Sequence, residues 1–290
     1  MQFLDRGIHS KRAIVRKGAK LALLLPRSLN RLRSGNDNPP AVIANSFPKS
    51  GTHLLEQIVG ALPGRRNYGT FLSSMTESYD FRERSKQNTG RFIHAIGPGE
   101  VVRGHLFHDC EYEGLLREKR IIHFFIYRDL RDVVLSEAYY LKNMNRWHKL
   151  HKYFRKCETM ADAISLAILG LRDETGVPYP DVAQRFARFR PWLDSQEVFS
   201  VRFEDLVSDA STERIRDIVK WYGDHSGASI DLDESTRHSK DQMKPARSHT
   251  FRSGKSGGWQ EVFTKRHCDE FKAVAGDLLV DLGYEHSRNW

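Results

Sequence analysis

The residues best suited to chemistry form a short string, Phe47-Pro48-Lys49-Ser50-Gly51-Thr52, lying between an apolar run and an amphipathic one. Gly51 permits close backbone approach, Lys49 adds positive charge, and Ser50 and Thr52 add hydroxyl donors. At the start of a helix, free backbone N–H groups and the helix dipole also favour an anion, so the chemistry indicated is phosphate binding. The nucleoside-triphosphate pattern G-x-x-x-x-G-K-[ST] is absent, because no glycine pair precedes Lys49, which argues against ATP and GTP. Arg128 and, eight residues later, Ser136 offer a guanidinium fork and a hydroxyl for a second phosphate, although Arg128 could instead pair with Asp129 or Asp132. FRSGKSGGWQEVFT (251–264) is glycine-rich and basic, able to turn backbone N–H groups toward an anion, with Phe251, Trp259 and Phe263 as anchors.

These groups need a scaffold. AVIANSF (41–47) reads as a buried strand, and THLLEQIVGAL after it places Leu54, Leu55, Ile58, Val59 and Leu62 at helical spacing before the stop at Pro63-Gly64. Further strands are predicted at 100–106 (EVVRGHL), at 120–129 (RIIHFFIYRD) and at 197–206 (EVFSVRFEDL), the last running into a turn, with a helix over 130–143. Strands alternating with helices predict an α/β fold with a mostly parallel sheet, whose ligands sit at the carboxyl ends of the strands. Segments 64–99 and 144–180 are longer than connections require and read as binding elements or lids that build a substrate site.

Charge separates the chain into two parts. Of 46 Lys/Arg, nine fall in residues 1–35 against a single acid, Asp5, which leaves 37 bases and 36 acids elsewhere. The formal charge of +9 therefore belongs to an arm, and the breaker-rich stretch Gly35 to Pro40 sets the expected division: arm and linker at 1–40, one domain at 41–290. Such an arm suits an anionic membrane surface, or is a solvated basic helix packed on the body. A secretory signal fits it poorly, because Lys20 interrupts its apolar stretch and no small-residue cleavage site follows. The longest apolar run, Leu21 to Leu25, is far below the roughly 20 residues that cross a bilayer. Cys110, Cys157 and Cys268 have neither disulfide nor zinc spacing, so a cytoplasmic setting and no metal are expected.

Taken together and in order, PKSGT, the Arg128-x₇-Ser136 pair and Arg252-Ser253-Gly254-Lys255-Ser256-Gly257-Gly258-Trp259 resemble the sulfotransferase family that uses 3′-phosphoadenosine 5′-phosphosulfate (PAPS), over roughly residues 41–285. The resemblance implies a P-loop-NTPase-like three-layer α/β/α fold and sulfuryl transfer from PAPS to an acceptor hydroxyl, leaving the nucleotide product PAP. It implies that Lys49, Ser50, Gly51, Thr52 and the adjoining His53 hold the 5′-phosphosulfate. Arg128 and Ser136 would hold the 3′-phosphate, and Arg252, Ser253 and Gly254 would close over the nucleotide. VVRGHLFHD looks like the family strand that carries the catalytic base, which points to His105 ahead of His53 and His108; Lys49 would steady the leaving oxygen.

Adenine contacts depart from the family pattern. His53-Leu54 stands where an aromatic residue usually stacks on adenine, Lys240 stands where a second is expected, and Phe203 replaces a family tyrosine. An ATP-dependent small-molecule phosphotransferase and a nonenzymatic basic adaptor for membranes or nucleic acid are the rival readings; the enzyme reading expects no nucleic-acid partner. The run Arg146 to Lys152 suggests an anionic, carbohydrate or lipid-linked acceptor, or only a solvated helix face; a small-molecule alcohol stays open.

Overall fold

The computed structural model describes residues 13–32, 38–171, 175–244 and 256–290. Two basic helices, α1 (Ala13–Ala22) and α2 (Leu24–Arg31), come first. β1 (Val42–Ser46) leads through a tight turn into α3 (Thr52–Gly60). There follow β2 (Arg66–Ser73), α4 (Lys86–His94), β3 (Glu100–His105), α5 (Cys110–Glu118), β4 (Ile122–Tyr127) and α6 (Leu130–Tyr139). After a π-helical turn at Tyr140–Met144 come α7 (His151–Phe154), α8 (Met160–Leu169), α9 (Val182–Ala187) and β5 (Val198–Arg202). The chain ends with α10 (Phe203–Val207), α11 (Ser211–Ser226), α12 (Leu232–Gln242) and α13 (Lys265–Asp281).

The strands form one sheet in the order β2-β3-β1-β4-β5, and every neighbouring pair is parallel. Parallel strands covered on both faces must be apolar on both, and these are. Ile43 and Phe125 pack to one side with Val133, Val134, Ile164 and Phe271, whereas Val42, Ala44, Phe124 and Ile126 pack to the other with Leu55, Ile58, Ile215 and Val219. The result is the expected three-layer α/β/α arrangement, in which each fully buried large apolar side chain contributes about 1.5–3 kcal/mol. Among the described residues no helix is long and apolar enough to cross a membrane.

The strands read from the sequence lie inside their expected spans, and two elements end sooner than periodicity suggests. The strand over 197–206 gives way to α10 at Phe203, and the helix over 130–143 changes to π-helical pitch at Tyr140. The segment 64–99 is not merely a long connection, because it holds β2 and α4. β2 escapes sequence reading for a physical reason. It is an edge strand paired only with β3, its register shifts between Asn67 and Thr70, and Gly69 at φ 70° interrupts the alternation. In the segment 144–180, α8 is opened by a reciprocal cap between Thr159 and Asp162.

Candidate active site

Beyond the carboxyl ends of the strands lies a cavity of about 830 Å³, reached by Lys49, Gly51, Thr52, His53, His105, Arg128, Ser136 and Phe203. The loop from β1 to α3 forms one wall. Lys49 has φ 69°, a left-handed backbone that residues other than glycine rarely adopt, and its ammonium lies 4.2 Å from the centre of the Tyr140 ring. Gly51 precedes the first turn of α3 at φ 102°, and a Cβ there would stand 2.7 Å from the Phe203 ring, so both conformation and space demand glycine. The first N–H groups of α3 have no carbonyl within the helix to bind, which suits this helix start to an anion. Ser50 Oγ is buried with no hydrogen-bond partner among the described residues, a hydroxyl in the loop that the protein itself leaves unsatisfied. These features fit a phosphate group.

His105, at the end of β3, is tied to the same loop. Its Nδ1 lies 3.1 Å from the Ser46 carbonyl and 3.2 Å from Ser46 Oγ, which in turn meets Thr52 Oγ1 at 2.6 Å. A carbonyl can only accept, so Nδ1 carries the hydrogen and Nε2 keeps its lone pair. The Phe71 ring packs edge-on against the imidazole, with centroids 5.1 Å apart. Enclosure by these walls holds the His105 pKa down at about 4, opposed by the Ser46 hydrogen bond and reinforced by the positive surroundings of His53, Arg103 and Lys49. The ring is neutral at physiological pH and can take a proton.

The competing histidines sit differently. His53 also reaches the cavity, but it belongs to a polar cluster in which Arg103 Nη1 lies 3.1 Å from His53 Nδ1, and the buried Glu56 contacts both Arg103 and His53. His108 faces elsewhere, with Nε2 3.4 Å from Glu113 and its ring against Trp192. Arg103 was not singled out in the sequence, although its position two residues before His105 on one strand places both on the same face.

Arg128 and Ser136 face the cavity from the β4 end and α6. Arg128 Nη2 donates to Asp132 Oδ2 at 3.1 Å, the pairing that the sequence left open, and its guanidinium lies 4.4 Å from the Phe203 ring centre. Asp129 pairs instead with Arg131, whose guanidinium contacts the rings of both Trp259 and Trp290. Asp132 is nearly fully buried and also accepts from the backbone N–H groups of Gly257 (2.8 Å) and Trp259 (3.0 Å). The carboxylate thus joins Arg128 to the described part of the glycine-rich segment. Earlier in the chain, the Lys244 N–H donates to Gln57 of α3 at 2.7 Å. Arg252, Ser253, Gly254 and Phe251 lie outside the described residues.

Of the residues considered for adenine, Leu54 and Phe203 line the cavity, while Lys240 is turned to Thr212. The rest of the wall combines aromatic and aliphatic residues, including Phe47, Phe71, Met75, Phe81, Phe107, Leu150 and Phe189, with charged ones such as Glu83, Glu137, Arg185 and Arg188. From the basic run at 146–152 only His148 and Leu150 reach it; Trp147 is 87% exposed and Lys149 donates to the Asp80 carbonyl.

A parallel sheet with a glycine-containing loop and an enclosed imidazole at its carboxyl edge is the arrangement of an α/β enzyme fitted to a phosphate-bearing ligand. The family follows from comparison: the model of the sulfotransferase domain matches residues 39–283, and the chain belongs to that family. Its activity class is therefore sulfuryl transfer. Among solved structures it resembles mouse sulfotransferase SULT7A1 complexed with PAP, at 17% identity and a TM-score of 0.57 over 89% of this chain and 90% of that one. It also resembles retinol dehydratase in complex with retinol and PAP, at 14% identity and a TM-score of 0.53 over 84% and 82% of the two chains. A third, retinol dehydratase with androsterone and inactive cofactor PAP, is 15% identical with a TM-score of 0.53 over the same shares. No curated protein sequence matches the chain.

Proposed function

We propose that this enzyme moves a sulfuryl group from PAPS to the hydroxyl of a largely apolar alcohol, small or lipid-linked, with His105 as general base. The observation that carries the reading is the position of His105. Its Nδ1 is held by Ser46, the last residue of the strand that feeds the anion loop, so a proton acceptor and a phosphate cradle share one cavity. PAPS supplies the sulfuryl group. The acceptor oxygen bonds to sulfur, the sulfur–oxygen bond to the 5′-phosphate breaks with its electron pair going to that phosphate, and the acceptor proton passes to His105 Nε2. Lys49, Thr52 and the first N–H groups of α3 surround the oxygen that gains charge.

Arg128 and Ser136 are assigned to the 3′-phosphate, with Asp132 orienting the guanidinium. Charge-assisted hydrogen bonds contribute about 1.5–3 kcal/mol each, so Arg128→Ala should weaken PAP binding by roughly 10- to 100-fold. Titration calorimetry measures this directly, and unchanged affinity would remove Arg128 from the site. The aromatic wall favours an apolar acceptor over a polysaccharide, and the bound retinol and androsterone of the similar structures agree with that choice.

The test of the whole reading is calorimetric titration with PAP and with ATP, each with and without Mg²⁺. Metal-independent binding of PAP with little binding of ATP is expected. Preference for Mg-ATP would turn the assignment to phosphoryl transfer, and binding of neither nucleotide would end the donor assignment.

A further inference from the structure

The first two helices carry a surface that the cavity does not use. One side of them is fastened to the body: Ala19 and Leu23 pack with Tyr68, Arg27 Nε donates to Glu100 at 2.6 Å, and Asn30 donates to the Pro98 carbonyl at 2.8 Å. Positions 19, 23, 27 and 30 recur at the spacing of a single helix face. The side turned away presents Leu21, Leu25, Leu29 and Leu32, exposed by 70%, 69%, 56% and 79%. A leucine stripe open to water is uncommon on a monomer and marks a surface meant to be covered.

Charge selects what covers it. Besides Arg27, which is paired with Glu100, residues 13–32 include Arg16, Lys17, Lys20 and Arg31 and no acid. An amphipathic helix that combines leucines with cations and lacks carboxylates suits the interface of an anionic bilayer, where apolar burial and attraction to lipid head groups act together. A protein partner matching this surface would have to supply both an apolar groove and acids; a bilayer of acidic phospholipid supplies both along its whole surface.

We propose that α1 and α2 dock on an anionic phospholipid bilayer, with Leu21, Leu25, Leu29 and Leu32 entering the boundary between head groups and acyl chains. The arm meets the body at Arg66, Tyr68, Pro98 and Glu100, at or near the amino ends of β2 and β3. The cavity lies past the carboxyl ends of the same strands, where Ser73 and His105 line it. The docking face and the cavity therefore belong to opposite edges of the sheet, about 20 Å apart for a six-residue strand. Bilayer contact holds the enzyme at the surface without covering the cavity.

The full-length chain should sediment with vesicles of phosphatidylcholine containing phosphatidylserine, far less with phosphatidylcholine alone, and less again as salt rises. The double variant Leu25→Ser/Leu29→Ser should lose vesicle binding by about tenfold or more, while its PAP affinity and its oligomeric state stay those of the parent. Equal binding of variant and parent, or no binding to either vesicle, would overturn the proposal. Light scattering that shows a parental dimer broken by the double variant would overturn it too, by assigning the leucines to a second copy. The vesicle result stands whatever nucleotide the cavity takes.

Discussion

His105→Ala is expected to lower turnover by about 10²–10⁴ while PAP binds as it does to the parent enzyme. The imidazole touches the anion loop only through Ser46, so removing it leaves Lys49, Gly51 and Thr52 in place. Single-turnover rates at saturating donor, paired with PAP calorimetry, separate the two effects. A variant with parental turnover would move the base to another histidine that reaches the cavity, His53 first and His148 after it.

The same residue sets a pH dependence. Its pKa is depressed to about 4 by enclosure, whereas a free histidine titrates near 6.5. The neutral form is the active one, so kcat/KM should be insensitive to His105 as pH falls through 6.5 and should drop only as it falls through about 4. Stability follows the same sign. The unfolded chain takes up the proton first, and the stabilisation tied to the neutral ring, present above 6.5, is lost as pH falls toward 4. An acid limb near 6.5 in the parent enzyme would contradict the enclosed imidazole.

Lys49→Met should reduce kcat by about 10²–10³, the usual loss when one donor to a developing oxyanion is removed. The ammonium is held beside Tyr140 by a left-handed backbone, a conformation retained against its own strain at the loop closest to the phosphate site. Methionine keeps the unbranched apolar stem of the side chain, one atom shorter, and removes the charge, so the loop should persist. The contribution is specific to the transition state if kcat falls and PAP affinity changes much less. An equal loss in both would make Lys49 a binding residue, and no loss in kcat would exclude it from catalysis.

Much of the architecture is legible in particular residues. VIANS, IHFFIY and their neighbours are apolar on both faces, which is what a covered parallel strand requires, and the Lys49–Thr52 string sits where a strand gives way to a helix. β2 is not legible in this way, because an edge strand with a glycine and a register shift has no clean alternation to read. Asp132 illustrates a different limit. Its place four residues after Arg128 suggests a helical pair, but nothing local reveals that it also receives the N–H groups of Gly257 and Trp259 from the far end of the chain.

The amino-acid sequence by itself determined four of the five strands, the helices that follow two of them, the glycine-containing loop between β1 and α3 and the concentration of positive charge in the arm, since each depends on residue type and short-range spacing. Tertiary structure decided what depends on distant segments meeting. It placed Ser46 against His105 across 59 positions of sequence, which sets the tautomer, and it enclosed the ring, which lowers the pKa. It turned Ala19, Leu23 and Arg27 to the body and so left the leucine stripe facing outward. Local spacing can mark a helix face as apolar, but which of two faces is covered is settled only by the surface that packs against it.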